Sequence, residues 1–352
     1  MPPPDNLVLV IGGTGAQGRP VVRALASDGK YTVRVLTRSS TSPEGKELSS
    51  IPGVTIVEGD SYDELTLRKA FSGISYAFIN TNGFAIGEKA EVYWGIRIYE
   101  LAREAGVKHY IWAGLIYSSK LGGFDPKYKC GHLDGKGRVS DYLASQSTEK
   151  MRWSILTSCL YVEGLTDLLR PRVGVVKEEG EQETLAFVAP LGKGDLPLIY
   201  LEDYGAYARW MLDTPERSTG LDLYVATEDI PWDKLATDFT EVTGKKAVYV
   251  DLTLDEYFSP SLGIFPNPEA VIGKSAVNPN DTTLVTVRQN FSGFWNSWKD
   301  NLSKRDYALL DDILPTRVKS VKEWMIKTGY TGEYEPVLKN ASRTLSSEGH
   351  DE

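Results

Sequence analysis

The chain has 352 residues, 41% hydrophobic and 25% charged, with a net charge of −9 and a pI near 5.1. That length allows about two domains with sizeable cores. The acidic balance excludes a dedicated nucleic-acid binder, whose phosphate contacts need a basic face. Two cysteines, Cys130 and Cys159, imply no disulfide framework. Residues 1–6 lack the blocks of a signal peptide, and no apolar run approaches the ~18 residues of a membrane span. The expectation is a cytoplasmic protein with no membrane contact, with nuclear entry left open.

Residues 7–18 read Leu-Val-Leu-Val-Ile-Gly-Gly-Thr-Gly-Ala-Gln-Gly. Five consecutive apolar residues are the pattern of a buried parallel strand. A glycine-rich turn follows, and Val21, Val22 and Leu25 continue as a helix. This is the context that a dinucleotide fingerprint requires. Gly13, Gly15 and Gly18 satisfy G-x-G-x-x-G, while Gly12, Gly15 and Gly18 satisfy the longer G-x-x-G-x-x-G. One glycine permits the tight turn, one lets backbone N–H groups approach a pyrophosphate, and Gly18 lets the helix pack on the strand. The phosphates then sit at the positive end of the helix. Gly12, Thr14, Gly15, Ala16, Gln17 and Gly18 form the candidate cradle.

Further strands fall at Tyr31–Thr37, Val54–Val57, Tyr76–Ile79, His109–Trp112 and Trp153–Leu156, with helical stretches near 63–72, 87–105 and 136–146. Strands spaced by helices in this way predict a doubly wound parallel α/β sheet. Beyond 158 the pattern loosens around Pro190, Gly192, Gly194 and Pro197. Helices are then expected at 203–213, 232–243, 254–258, Asn290–Trp298 and Arg317–Met325. The predicted organisation is a nucleotide-binding domain over 1–157, a smaller mixed α/β substrate or partner domain over 158–330, and a disordered tail over 331–352.

The end of the second strand selects between NAD and NADP: an acid there bonds the ribose 2′-hydroxyl, and an arginine accommodates a 2′-phosphate. Here it reads Thr37-Arg38-Ser39-Ser40. Arginine's rigid fork of donors suits phosphate, so NADP(H) is placed ahead of NAD(H), with Arg38, Ser39 and Ser40 as contacts. Asp60, after the third strand, is a candidate for the adenine amino group and equally for capping the next helix. Asn80, Thr81 and Asn82, after the fourth strand, lie where the cofactor's sugars and nicotinamide pass.

Short-chain nicotinamide reductases commonly use Tyr-x-x-x-Lys, but none of the 19 tyrosines has a lysine four residues on. The segment Cys130–Arg138 opens a helix after the fifth strand. Lys136 in it is the candidate for ribose binding or proton donation, with Asp134 as a candidate helix cap. His132 titrates in the useful range when unperturbed; a polar surface role is the alternative. Tyr117, Tyr128 and Cys130 are further candidates near the nicotinamide, though Cys130, with no adjacent base in sequence, is better read as a buried or idle thiol.

With these motifs the chain resembles the NmrA-like family, atypical members of the short-chain dehydrogenase/reductase superfamily. The carrying segments are Gly12–Gly18, Arg34–Arg38, Glu58–Asp60, Asn80–Asn82, His132–Gly137, Gly192–Pro197 and Thr243–Lys246, and the resemblance covers about residues 6–330. It implies a Rossmann domain with an appended α/β domain. It also implies cofactor contacts at the glycine turn, Arg38, Asn80–Asn82 and Lys136, and an approach of the Thr157, Cys159 and Leu160 backbone to the nicotinamide. The family divides into non-catalytic NADP(H) redox sensors that bind transcription factors and reductases of quinones or enone-like substrates. Two functions follow: an NADPH-dependent reductase of a small conjugated carbonyl or quinone-like substrate, and a silent redox sensor read by a regulatory protein partner. A scaffold with a vestigial site is a third. Tyr93 and Trp94 are expected either to close or to line the substrate pocket.

Overall fold

The computed structural model describes residues 6–175, 184–273 and 284–337. In the first half the elements are β1 Leu7–Ile11, α1 Gly18–Ala26, β2 Thr32–Thr37, α2 Pro43–Ser49, β3 Val54–Glu58, α3 Glu64–Phe71, β4 Tyr76–Ile79, α4 Gly83–Glu104, β5 His109–Gly114, α5 Ser118–Leu121, α6 Gly131–Ala144 and β6 Arg152–Thr157. Next come β7 Leu160–Tyr161, β8 Leu185–Ala189, β9 Asp195–Ile199, α7 Leu201–Asp213, α8 Pro215–Ser218, β10 Asp222–Tyr224 and β11 Glu228–Pro231. The chain ends with α9 Trp232–Thr243, β12 Ala247–Asp251, α10 Leu254–Tyr257, α11 Val287–Lys299, α12 Tyr307–Ile313 and α13 Val321–Thr328.

Seven parallel strands form the main sheet in the order β10-β6-β5-β4-β1-β2-β3. Alternation along β1 divides two cores. Val8 and Val10 face α1 and α7 residues such as Val21 and Tyr207, whereas Leu9 and Ile11 face Leu67, Ile98 and Trp112. The order reverses between β1 and β4, which opens a crevice at the carboxyl ends of these two strands. A third core, with Phe187, Trp232, Phe239, Trp295 and Trp298, lies beneath the smaller sheets β11-β9-β7 and β12-β8.

The chain crosses the expected boundary at 157 more than once. β10 returns to extend the main sheet beside β6, and α7 packs on α1, with Gly205 against the backbone of Pro20. The short α2 and α12 were not anticipated. Each is seven residues long and buries only two residues, Gly45 and Leu48 in α2 and Leu310 and Ile313 in α12, so neither carries an apolar stripe; each is instead defined by its cap, Ser42 and Asp306. α6 begins at Gly131, five residues before the predicted start, because three glycines mask its helical signal. Those glycines serve packing: a Cβ at Gly137 would lie 2.5 Å from the Tyr117 Cα. Of the segment 331–352, residues 338–352 lie outside the described residues. Residues 331–337 run along the turn at 162–167, where Glu335 donates its N–H to the Thr166 carbonyl at 2.9 Å.

Because a Cβ at residue 205 would stand 2.5 Å from the Pro20 carbonyl oxygen, Gly205→Val should force α7 off α1. The expected cost is about 1–3 kcal/mol, measured by chemical denaturation; unchanged stability would refute this packing.

Candidate functional site

The glycine turn shows which backbone positions face the crevice. Gly12 has φ +77° and abuts the Asn80 carbonyl, and a Cβ at Gly18 would lie 2.1 Å from the Gly12 carbonyl oxygen. Both therefore serve the fold. Gly15 differs: a Cβ there would meet only the Gly12 carbonyl oxygen, at 3.3 Å. The amides of Ala16, Gln17 and Gly18 have no acceptor among the described residues. Free N–H groups at a helix start, beside a glycine open to the crevice, fit a pyrophosphate. Thr14 faces Thr37 across the turn, their hydroxyls 3.5 Å apart.

At the end of β2, Arg38 is exposed and pairs with no carboxylate among the described residues, while the Ser39 hydroxyl lies 3.1 Å from that of Thr41. Asp60 does not cap α3. Its carboxylate accepts the Tyr62 N–H at 2.9 Å, and the cap is Asp63, which accepts from Thr66 N–H at 2.7 Å. The exposed Asp60 thus remains beside the crevice. Tyr62 bridges to the next loop, its hydroxyl accepting the Asn82 N–H at 2.9 Å. Burial pushes its phenol up to about 12.

The ends of β4 and β5 hold Lys136. Its ammonium donates to Asn80 Oδ1 at 3.1 Å, Thr81 Oγ1 at 3.3 Å and the Ala113 carbonyl at 3.1 Å, and lies 4.7 Å from the centre of the Trp112 ring. A further neighbour is Glu91 of α4, whose Oε1 stands 3.4 Å from the ammonium and accepts the Thr81 hydroxyl at 2.7 Å. Glu91 is wholly buried, and its Oε2 has no hydrogen-bond partner among the described residues. Gly83 and Gly135 make room for it, since a Cβ on either would approach Oε2 to 2.1 and 3.0 Å. Burial lowers the Lys136 ammonium from its ordinary value, and Glu91 opposes that shift. Glu91 was missed in sequence. Its signal was an acid on the buried stripe of α4 that also carries Gly95, Ile98 and Ala102.

The other catalytic candidates make no hydrogen bond to Lys136 among the described residues, although His132 stands one turn before it on α6. The Tyr117 hydroxyl accepts from Arg138 Nε at 2.9 Å. Arg138 is two residues along α6 from Lys136 and so on another face. His132 is buried in a stack with Phe84, ring centroids 4.5 Å apart, and with Phe294, and its Nδ1 meets the Asn290 side chain. Burial lowers it to about 4, so it is neutral near pH 7. Asp134 is not the α6 N-cap, which is Cys130. It accepts from Ser119 N–H at 2.9 Å and Ser119 Oγ at 2.6 Å, bracing the loop before α6.

At the end of β6, the Thr157 hydroxyl donates to Asp222 at 2.5 Å. The Cys159 thiol donates to the Val225 carbonyl at 3.3 Å and is pushed up to about 12 by burial, and Leu160 pairs with Leu198 in β9. Cys130 is likewise raised by burial. Tyr93 is exposed, and Trp94 packs against Tyr62 at 6.0 Å between centroids.

The profile of the NmrA-like family matches residues 4–286. An NmrA-like family domain-containing oxidoreductase of Aspergillus hancockii is 30% identical over 275 residues, spanning 74% of this chain and 81% of its own. Among solved structures, NmrA, a negative transcriptional regulator in complex with NADP, aligns at 19% identity with a TM-score of 0.69 over 92% of this chain and 94% of its own. A further structure of NmrA holds NAD. An NADPH-dependent quinone oxidoreductase from Escherichia coli, complexed with NADPH, gives 0.67 at 17% identity, over 92% and 100%. At these identities the structural likeness establishes the fold.

Two outcomes are expected from the buried groups. Glu91→Leu should cost about 3–5 kcal/mol by leaving Lys136 uncompensated, and adding Lys136→Met should recover part of that loss; denaturation of the two variants decides it. His132 is held below its unfolded value, so its contribution to stability is present above about 6.5 and is lost as pH falls towards about 4. The stability advantage of wild type over His132→Phe should therefore shrink by about 2 kcal/mol between pH 7 and 5, and a constant difference would refute the buried neutral ring.

Proposed function

The chain belongs to the NmrA-like family, and from that premise we propose that it is an NADPH-dependent reductase of a small conjugated carbonyl or quinone-like substrate. The observation that carries this reading is Lys136, buried beside the crevice and held by Asn80, Thr81, the Ala113 carbonyl and Glu91. A bound nicotinamide supplies the hydride. The turn from Gly12 to Gly18 holds the pyrophosphate with its free amides, Arg38 takes the 2′-phosphate, and Asn80–Asn82 line the passage of the ribose. Lys136 donates a hydrogen bond, then its proton, to the substrate oxygen on which negative charge develops. Glu91 orients the ammonium and keeps it charged in a site that would otherwise favour the neutral amine. The names of the A. hancockii oxidoreductase and of the E. coli quinone oxidoreductase agree with this reading.

A silent sensor is the second reading, favoured by one observation: the Tyr117 hydroxyl is engaged by Arg138 and the His132 Nδ1 by Asn290, so neither is hydrogen-bonded to Lys136 among the described residues. The name of NmrA, a negative transcriptional regulator, points the same way. NADP(H) occupancy would then be read by a protein partner, which must shift cofactor affinity by the same factor.

Titration with NADPH followed by NADPH consumption against small quinones and enones separates the two. For a reductase, Lys136→Met should lower kcat about 100-fold while nucleotide affinity falls less than about tenfold. Tight binding with no turnover by the wild type would transfer the function to the sensor.

A further inference from the structure

The adenosine end of the crevice holds a charge that the assignment to NADP does not use. β2 and β3 pair in register with Thr37 opposite Glu58, so the last side chain of β3 stands beside the loop that follows β2. Glu58 Oε1 accepts both the backbone N–H and the hydroxyl of Ser40, each at 2.6 Å. The loop that presents Ser40 has little freedom to turn away. Ser42 caps α2 through the Gly45 N–H at 3.1 Å and donates to the Ser39 carbonyl at 3.3 Å. Gly45 lies so close beneath that a Cβ there would stand 2.6 Å from the Ser40 carbonyl oxygen.

Two of the donors that would grip a 2′-phosphate are therefore already given to a carboxylate. A phosphate dianion entering here meets attraction from Arg38 and repulsion from Glu58. A plain ribose hydroxyl faces the reverse: it can donate to Glu58, as it does to the acid at a strand end in NAD sites, and it gains little from Arg38.

We propose that Glu58 is a specificity-determining residue that counterbalances Arg38, so that the site accepts NADP(H) and NAD(H) with comparable affinity. The inference rests on the reading of Arg38 as the 2′-phosphate contact. Glu58 acts on the 2′ position alone and leaves the pyrophosphate cradle and Lys136 untouched. Its effect is electrostatic and solvent-facing, so it weakens as salt screens the two charges.

The test is equilibrium titration of the full chain with NADPH and NADH, and with NADP⁺ and NAD⁺, followed by tryptophan fluorescence and calorimetry at low and high salt. The variants are Glu58→Gln and Arg38→Ala, each checked for wild-type melting. For wild type the two affinities should lie within about tenfold of each other. Glu58→Gln should raise the NADPH-to-NADH affinity ratio about tenfold, the scale expected for one charge against a dianion at a wet surface, and the increment should shrink in high salt. Arg38→Ala should lower the ratio. A ratio in Glu58→Gln within twofold of wild type overturns the proposal, as does a shift towards NADH. An unchanged ratio in Arg38→Ala removes Arg38 as the phosphate contact and overturns the counterbalance with it. Folded wild-type protein that binds none of the four nucleotides overturns both this inference and the cofactor reading beneath it.

Discussion

The candidate site depends on one buried ion pair. Two opposite charges removed from water are costly to separate and leave little tolerance for poor geometry. Lys136 and Glu91 come from different helices, α6 and α4, and reach each other only because the helices pack closely over β4 and β5. That closeness is bought with glycine: Gly83 and Gly135 border the Glu91 carboxylate, and a Cβ at Gly95 would lie 2.5 Å from the Val139 side chain. The pair fixes the spacing of the helices, the helices fix the ends of β4 and β5, and those strand ends border the crevice.

The second half of the chain holds this arrangement from outside. α7 locks the far face of α1, and β10 extends the sheet beside β6. α11 closes on the loop before α6: a Cβ at Gly293 would lie 1.9 Å from the Lys129 carbonyl oxygen, and the Ser118 and Ser297 hydroxyls stand 2.5 Å apart. The buried polar groups nearby are accounted for in the same way. His132 stacks between phenylalanines, Asp134 ties down Ser119, and both thiols are buried and held protonated. Polarity in this region braces the loop, whereas the lysine reaches the ends of β4 and β5.

Much of this was legible in residue order. An apolar run ending in Gly12–Gly18 announces strand, turn and helix, because only a tightly packed βα unit needs glycines at those intervals. Six of the seven strands of the main sheet followed from their apolar runs, and β10 did not. α2 and α12 did not, since each is specified by a cap and a few contacts rather than by a stripe. Lys136 stood out through its place in the helix after β5, and Arg38 through its place after β2. Tyr117 and His132 also carried plausible chemistry, yet sequence adjacency could not reveal that Arg138 takes the one and a phenylalanine stack the other.

Sequence alone thus determined the parallel α/β class, the glycine-rich turn after β1 and a lysine in the helix after β5, because each is set by local pattern: period, glycine spacing and position after a strand. The tertiary structure decided what those groups face. It joined Glu91 to Lys136 across 45 positions of chain and Glu58 to Ser40 across 18. It also carried β10 and α7 back onto the first domain. The physical reason is range. Local pattern encodes backbone conformation and burial, whereas the charge state and reach of a side chain depend on partners that only packing between distant elements brings within hydrogen-bond distance.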